Sequence, residues 1–171
     1  MRRTREHDSE RVTRKLPLPD ARAALDNGFN QAQSHAQQMD CAMFFAAGDD
    51  DPVNATEGIL ENTLYRLLPL PNNTVAQTAD GYDVQINTAG AFFNAAANAN
   101  GTVTVTMPNA AGRMTLFTFA NLATFQGFLL LHELGHQAGV FGIDVNAAAN
   151  GANSRAVLNH CFTKDAQGVY H

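Results

Sequence analysis

Two histidines four residues apart, with a glutamate directly after the first, form the run His132-Glu133-Leu134-Gly135-His136. On an α-helix, residues four apart project from one face, one turn above the other, so His132 and His136 are spaced to bind a single ion. Glu133 then lies about 100° round the helix, close to the ion without being its ligand. Zinc bound by two imidazoles, a third protein ligand and a water brings that water's pKa toward neutrality, and an adjacent carboxylate can accept its proton. That is hydrolytic chemistry. The competing reading is a helix with two incidental histidines. The flanks Phe128-Leu129-Leu130-Leu131 and Gln137-Ala138-Gly139-Val140 argue against it, since so apolar a helix would bury His-Glu-His without partners, at a cost.

A helix must carry the run, and Asn121 is placed to cap one reaching about Ala138. Upstream, Ala21 to Ala46 favours one long helix, with Leu25, Phe29, Ala32, Ala36, Met39 and Met43 at roughly helical spacing. Gly48-Asp49-Asp50-Asp51-Pro52 ends it. Its three aspartates read as a solvated turn, because no glutamate follows at the spacing of a calcium loop. Asn54-Ala55-Thr56 is expected to cap a second helix running through Leu68, with Ile59, Leu60, Leu64 and Leu67 on one side. Alternation predicts strands at Tyr82 to Asn87, Thr102 to Met107 and Arg113 to Phe119, the last with Met114 and Leu116 on one face and Phe117 and Phe119 on the other. Gly90 to Gly101 is ambiguous. Asn146 to Gly151 reads as a loop of small residues, after which Ser154 caps a short final helix holding Val157, Leu158 and Cys161. Helices, strands, the motif helix and a last helix, in that order, describe an α+β domain over residues 20–171.

The motif helix resembles the zincin metallopeptidases, whose hallmark is His-Glu-x-x-His. The resemblance covers roughly Leu129 to Asp144, under a tenth of the chain. It implies a zincin-like fold, with a small, mainly antiparallel sheet packed on the metal-binding helix and an edge strand beside the cleft for an extended peptide. It also implies a zinc-dependent peptidase of endopeptidase rather than exopeptidase type, with His132 and His136 as ligands and Glu133 as general base. The metzincin branch does not fit: its third ligand would fall on Gly142, and no methionine follows Met114. For the third ligand, Asp144 stands beyond Gly139 and Gly142, which can end the helix and fold the chain back, and aspartate-type zincins use a carboxylate at a similar distance. His160, where gluzincin-like enzymes carry a glutamate, is the alternative. Tyr170, His160 and Arg155 are the candidates to stabilise the oxyanion. Other readings are a degenerate zincin-like module that binds metal or mediates adhesion without turnover, and a toxin-type hydrolase module of a larger polypeptide.

Composition bounds the partners. Of 171 residues, 45% are hydrophobic and none is tryptophan, enough for one domain with a core. The net charge of −5 hides an asymmetry: seven of eleven basic residues lie within the first 22, interleaved with Glu6, Asp8 and Glu10. Residues 1–19 therefore read as a charged, solvated tail. The remainder carries four basic against twelve acidic groups, a poor match for nucleic acid. Phe125 to Leu131, the longest apolar run, is too short for a membrane span, and the polar start offers no signal peptide. The expected partner is thus a protein or peptide substrate, and oligomeric state stays open. Cys41 and Cys161 invite a bridge from the first long helix to the last, and with it a secreted or extracytoplasmic location.

Overall fold

The computed structural model describes residues 18–71, 74–79 and 83–171. The charged segment read as a tail falls outside them as far as residue 17, as does Tyr82 of the first expected strand. The described residues form an α+β structure of six helices and two three-stranded sheets.

The expected long first helix is two. Helix α1 (Leu18–Ala36) and helix α2 (Met39–Phe45) are separated by a break at Gln37-Gln38. The break rotates the apolar register: α2 buries Cys41, Ala42 and Phe45, while Met39 is 59% exposed. Helix α3 (Pro52–Asn62) starts earlier than Asn54, because the Asp51 side chain caps it by accepting from the Asn54 N–H and Pro52 sits at the first helical position. It also ends earlier. The Thr63 hydroxyl returns to the Ile59 carbonyl at 2.8 Å, and residues 64–68 form strand β1 (Leu64–Leu68) instead of a helical end. The reason is tertiary: β1 pairs in parallel with β3 (Asp83–Asn87) along its whole length. Strand β2 (Ala76–Ala79), which no alternation signalled, pairs antiparallel with the other side of β3. The order β1-β3-β2 leaves β2 at a sheet edge.

After the short helix α4 (Ala91–Asn94), strands β4 (Val103–Pro108) and β5 (Met114–Phe119) form an antiparallel hairpin, joined in parallel by β6 (Val169–Tyr170). The single, mainly antiparallel sheet expected from the sequence is therefore two mixed ones. The faces of β5 fall as the alternation required: Phe117 and Phe119 are buried, Met114 and Leu116 exposed.

Helix α5 (Leu122–Gln137) is the centre of the packing. Asn121 caps it, accepting from the Thr124 N–H at 2.9 Å, and it is buried without a break from Thr124 to Gly135. A helix buried all round belongs inside a fold; α1, α3, α4, α6, β2 and β5 all touch it. Phe119 links it to the second sheet, with ring centroids 5.3 Å from Phe125 and 5.2 Å from Phe128. Helix α6 (Ala147–Cys161) begins a full two turns before Ser154, capped by Asn146 through the Ala149 N–H. Its small residues, read as a loop, serve close packing. A Cβ at Gly151 would lie 2.0 Å from the Asn109 carbonyl oxygen at the tip of the β4–β5 hairpin. A disulfide joins Cys41 in α2 to Cys161 at the end of α6.

Candidate metal centre

His132 and His136 stand one turn apart on α5 with ring centroids separated by 5.2 Å. What brings the third group to them is the end of that helix. Gly139 adopts φ +70°, the left-handed conformation that glycine takes without steric cost. The Val140 and Phe141 N–H groups then both donate back to the Gly135 carbonyl, at 2.9 and 3.0 Å. The chain reverses, and Phe141 folds over the helix with its ring 5.8 Å from His132 and 5.5 Å from His136. The return is possible because residue 135 is glycine: a Cβ there would be 2.1 Å from the Phe141 ring. Asp144 follows, and its Oδ2 lies 3.0 Å from His132 Nε2 and 3.6 Å from His136 Nε2.

His132, His136 and Asp144 thus form a group that could hold a metal ion, their ligand atoms all within 4.8 Å of one another. Ligands about 2.0–2.1 Å from a tetrahedral zinc are spaced by roughly 3.3–3.4 Å, which the two measured separations to Asp144 bracket. The donors fit such an ion. Helix α6 supports them. Asn150 Nδ2 donates to Asp144 Oδ2 at 2.7 Å, Asn153 Nδ2 to Oδ1 at 2.6 Å, and Ser154 Oγ lies 3.2 Å from His132 Nδ1. Partners on the far side of a ligand fix its orientation and, for histidine, which nitrogen faces the ion.

Glu133, 5% exposed, is held by Thr78 of β2, whose hydroxyl donates to its Oε2 at 2.8 Å. Burial pushes its carboxyl up, against the neighbouring His132 charge and the Thr78 hydrogen bond. At Asp144 burial acts in the same upward direction, yet hydrogen bonds from His132, His136 and Asn153 outweigh it and hold the carboxyl below the usual range. His136 is raised, by its bond to Asp144 first, in spite of burial.

The group opens onto a cleft of about 870 Å³. Its lining includes β2 with the chain leading into it, and Met107, Pro108, Met114 and Ile143, of which Ile143 is 83% exposed. Just before β2 the Val75 carbonyl accepts from the Asn87 N–H. The antiparallel alternation then turns the backbone groups of Ala76 and Thr78 away from β3, toward the free edge.

The other site candidates lie elsewhere. His160 is exposed and stacks on Phe44 with centroids 4.5 Å apart, outside the ligand group. Tyr170 is buried in β6 against Phe117 and Phe119, and Arg155 is exposed on α6; neither lines the cleft. Asn150, Asn153, Ser154 and Thr78 escaped the sequence reading in these roles. The sequence marks Ser154 only as a helix cap, and β2 carries no strand signal. No protein-family model, curated protein or solved structure matches this chain.

Proposed function

We propose that the protein is a zincin-like, zinc-dependent peptidase that hydrolyses peptide bonds with Glu133 as general base. One observation carries the reading: two imidazoles and a carboxylate converge at a cleft into which a buried, oriented glutamate also faces. Three protein ligands leave a fourth position open, as a catalytic rather than a structural zinc requires. The same donors suit iron(II), but Glu133 has no task in that chemistry and an essential one in hydrolysis.

His132 and His136 through Nε2, and Asp144 through Oδ2, would hold the ion. Bound there, it supplies Lewis acidity, polarising a carbonyl and making water acidic near neutral pH. Ser154 and the two asparagines keep the ligands oriented. Glu133 takes the attacking water's proton at a carboxylate oxygen and returns it to the leaving amine, acting as base and then acid. Thr78 keeps that carboxylate aimed. The free edge of β2 offers outward backbone groups to an extended peptide, which supports a protein or peptide substrate over a small amide. The disulfide is consistent with an extracytoplasmic location, and no described helix is long and apolar enough to cross a membrane.

The test pairs metal analysis with proteolysis. Purified protein should bind one zinc, cleave casein or a peptide library, and stop when chelated. Glu133→Gln should keep the zinc and lose cleavage. Failure to take up zinc from excess, or undiminished cleavage by the variant, refutes the reading.

A further inference from the structure

Hydrolysis of an amide places negative charge on the carbonyl oxygen, and a hydrogen-bond donor aimed at that oxygen supplies much of the rate. Tyr170, His160 and Arg155 are all absent from the lining of the cleft. We propose that the side-chain amide of Asn150 is the oxyanion donor, an inference that rests on the peptidase reading above.

Asn150 lies one turn into α6, four residues after the cap Asn146, and lines the cleft. Its Nδ2 is 2.7 Å from Asp144 Oδ2, the oxygen on which His132 and His136 also converge. The amide therefore stands beside the reacting position. An asparagine nitrogen carries two hydrogens, and one bond to Asp144 leaves the second to give. Three other polar side chains of the cleft are engaged, Thr78 Oγ on Glu133, Ser154 Oγ at His132 and Gln77 Nε2 on Gln85, and Asn150 is the cleft-lining donor that contacts the proposed ligand oxygen itself. Asn153 grips the other carboxylate oxygen and does not line the cleft. Both asparagines hold Asp144, and Asn150, which alone of the two lines the cleft, also faces substrate.

In the first step the water oxygen bonds to the carbonyl carbon, a water proton passes to Glu133, and the carbon–oxygen π pair moves onto the oxygen that Asn150 contacts. On collapse that pair re-forms the carbonyl, the carbon–nitrogen bond breaks, and the amine nitrogen takes the proton from Glu133. Asn150 exchanges no proton; it donates a hydrogen bond throughout.

The test uses the zinc-loaded full chain with Asn150→Ala and the size-matched Asn150→Leu, compared with Asn153→Ala and Glu133→Gln. Three quantities are read: kcat and KM on a cleavable peptide, zinc affinity by chelator competition, and calorimetric binding of a peptide phosphonamidate, whose tetrahedral phosphoryl oxygen mimics the oxyanion. Both Asn150 variants should lose about 100-fold or more in kcat, with KM within threefold, and lose phosphonamidate affinity in parallel. Zinc saturation should not restore either loss. Asn153→Ala should instead weaken zinc binding and recover kcat when zinc is saturating. Retention of kcat within threefold by both Asn150 variants, or its recovery with added zinc, overturns the inference while an inactive Glu133→Gln leaves the peptidase standing. If the zinc-loaded natural chain cleaves nothing, both fall.

Discussion

Gly135→Ala sets two known magnitudes against each other inside the motif helix. An exposed helix interior would gain about 1 kcal/mol from this change, because alanine is the better helix former. Here the new Cβ would stand 2.1 and 2.3 Å from two carbons of the Phe141 ring. Carbon atoms rest at about 3.5–4.0 Å, so the ring has to retreat by more than an ångström. Its backbone cannot follow freely, because the Val140 and Phe141 N–H groups are both bonded to the carbonyl of residue 135. Overpacking of this kind costs roughly 1–3 kcal/mol, which cancels the propensity gain and leaves a net loss of about 1 kcal/mol, or some 2–4 °C in Tm for a chain of this size. The larger effect is on the site. The ring packs over both imidazoles, and Asp144 is three residues further along the same return. Displacing it should lower zinc affinity by about 10- to 100-fold, the usual scale for disturbed ligand support. Denaturant melts and chelator competition read the two effects separately. Gly135→Ala/Phe141→Ala removes the obstacle and should recover affinity relative to Gly135→Ala alone. A single variant more stable than the natural chain, with zinc affinity unchanged, would refute the steric argument.

Zinc must displace the proton that Asp144 holds on His136, so affinity should fall about tenfold per pH unit below that histidine's raised pKa, and isothermal titration should show proton release on binding; pH-independent affinity between 5 and 7 would contradict this. Without metal the stability trend reverses: His136, raised in the fold, contributes stability that is present below the ordinary histidine value and lost as pH rises through its folded pKa, and Glu133, also raised, costs stability once the unfolded chain ionises. Asp144, lowered, loses its contribution only in strong acid. His35, lowered by burial, acts the other way, so the contribution is read against a Glu133→Gln/His136→Gln protein: relative to it, urea midpoints in EDTA should decline from pH 5.5 to 8, and a relative rise would be the contrary result. Reducing Cys41–Cys161, which spans 120 residues, should lower stability by about 5 kcal/mol on the chain-entropy model; a Cys41→Ala/Cys161→Ala protein within 1 kcal/mol of the natural one in guanidinium would show that the bridge is incidental.

The features legible in the sequence were those set by local rules. Asn121 as cap, Gly139 as helix end, the alternation over residues 103–107 and 114–119 and the spacing of His132, Glu133 and His136 each depend on neighbours a few positions away. Asp144 was legible in part for the same reason, since Gly139 announces the chain reversal that delivers it, and in part from the resemblance to aspartate-type zincins, with His160 as the alternative. Where long-range pairing decides, the local reading failed. Leu64, Leu67 and Leu68 extend a helical pattern, yet they pair with β3, some twenty residues onward. Ala-Gln-Thr-Ala of β2 has little strand preference of its own and is a strand because β3 templates it. Tyr170, His160 and Arg155 follow the motif in sequence, yet long-range packing leaves all three out of the cleft.

Helix α6 shows why its own beginning was misread. Asn150, Asn153 and Ser154 are poor helix formers that compete for backbone hydrogen bonds, and Gly151 weakens the same turn further. Alone, such a segment would be a loop. Each residue has a tertiary reason: three side chains reach Asp144 and His132, while the glycine admits the Asn109 carbonyl. The missing propensity is offset from outside, by the Asn146 cap at one end, the β4–β5 hairpin along one side and the disulfide at Cys161 at the other end. Alanine at any of the three polar positions would make a better helix and a worse holder of the ligands. Local preference and the hydrogen bonds to Asp144 and His132 pull this helix in opposite directions, and the fold is built so that those bonds prevail.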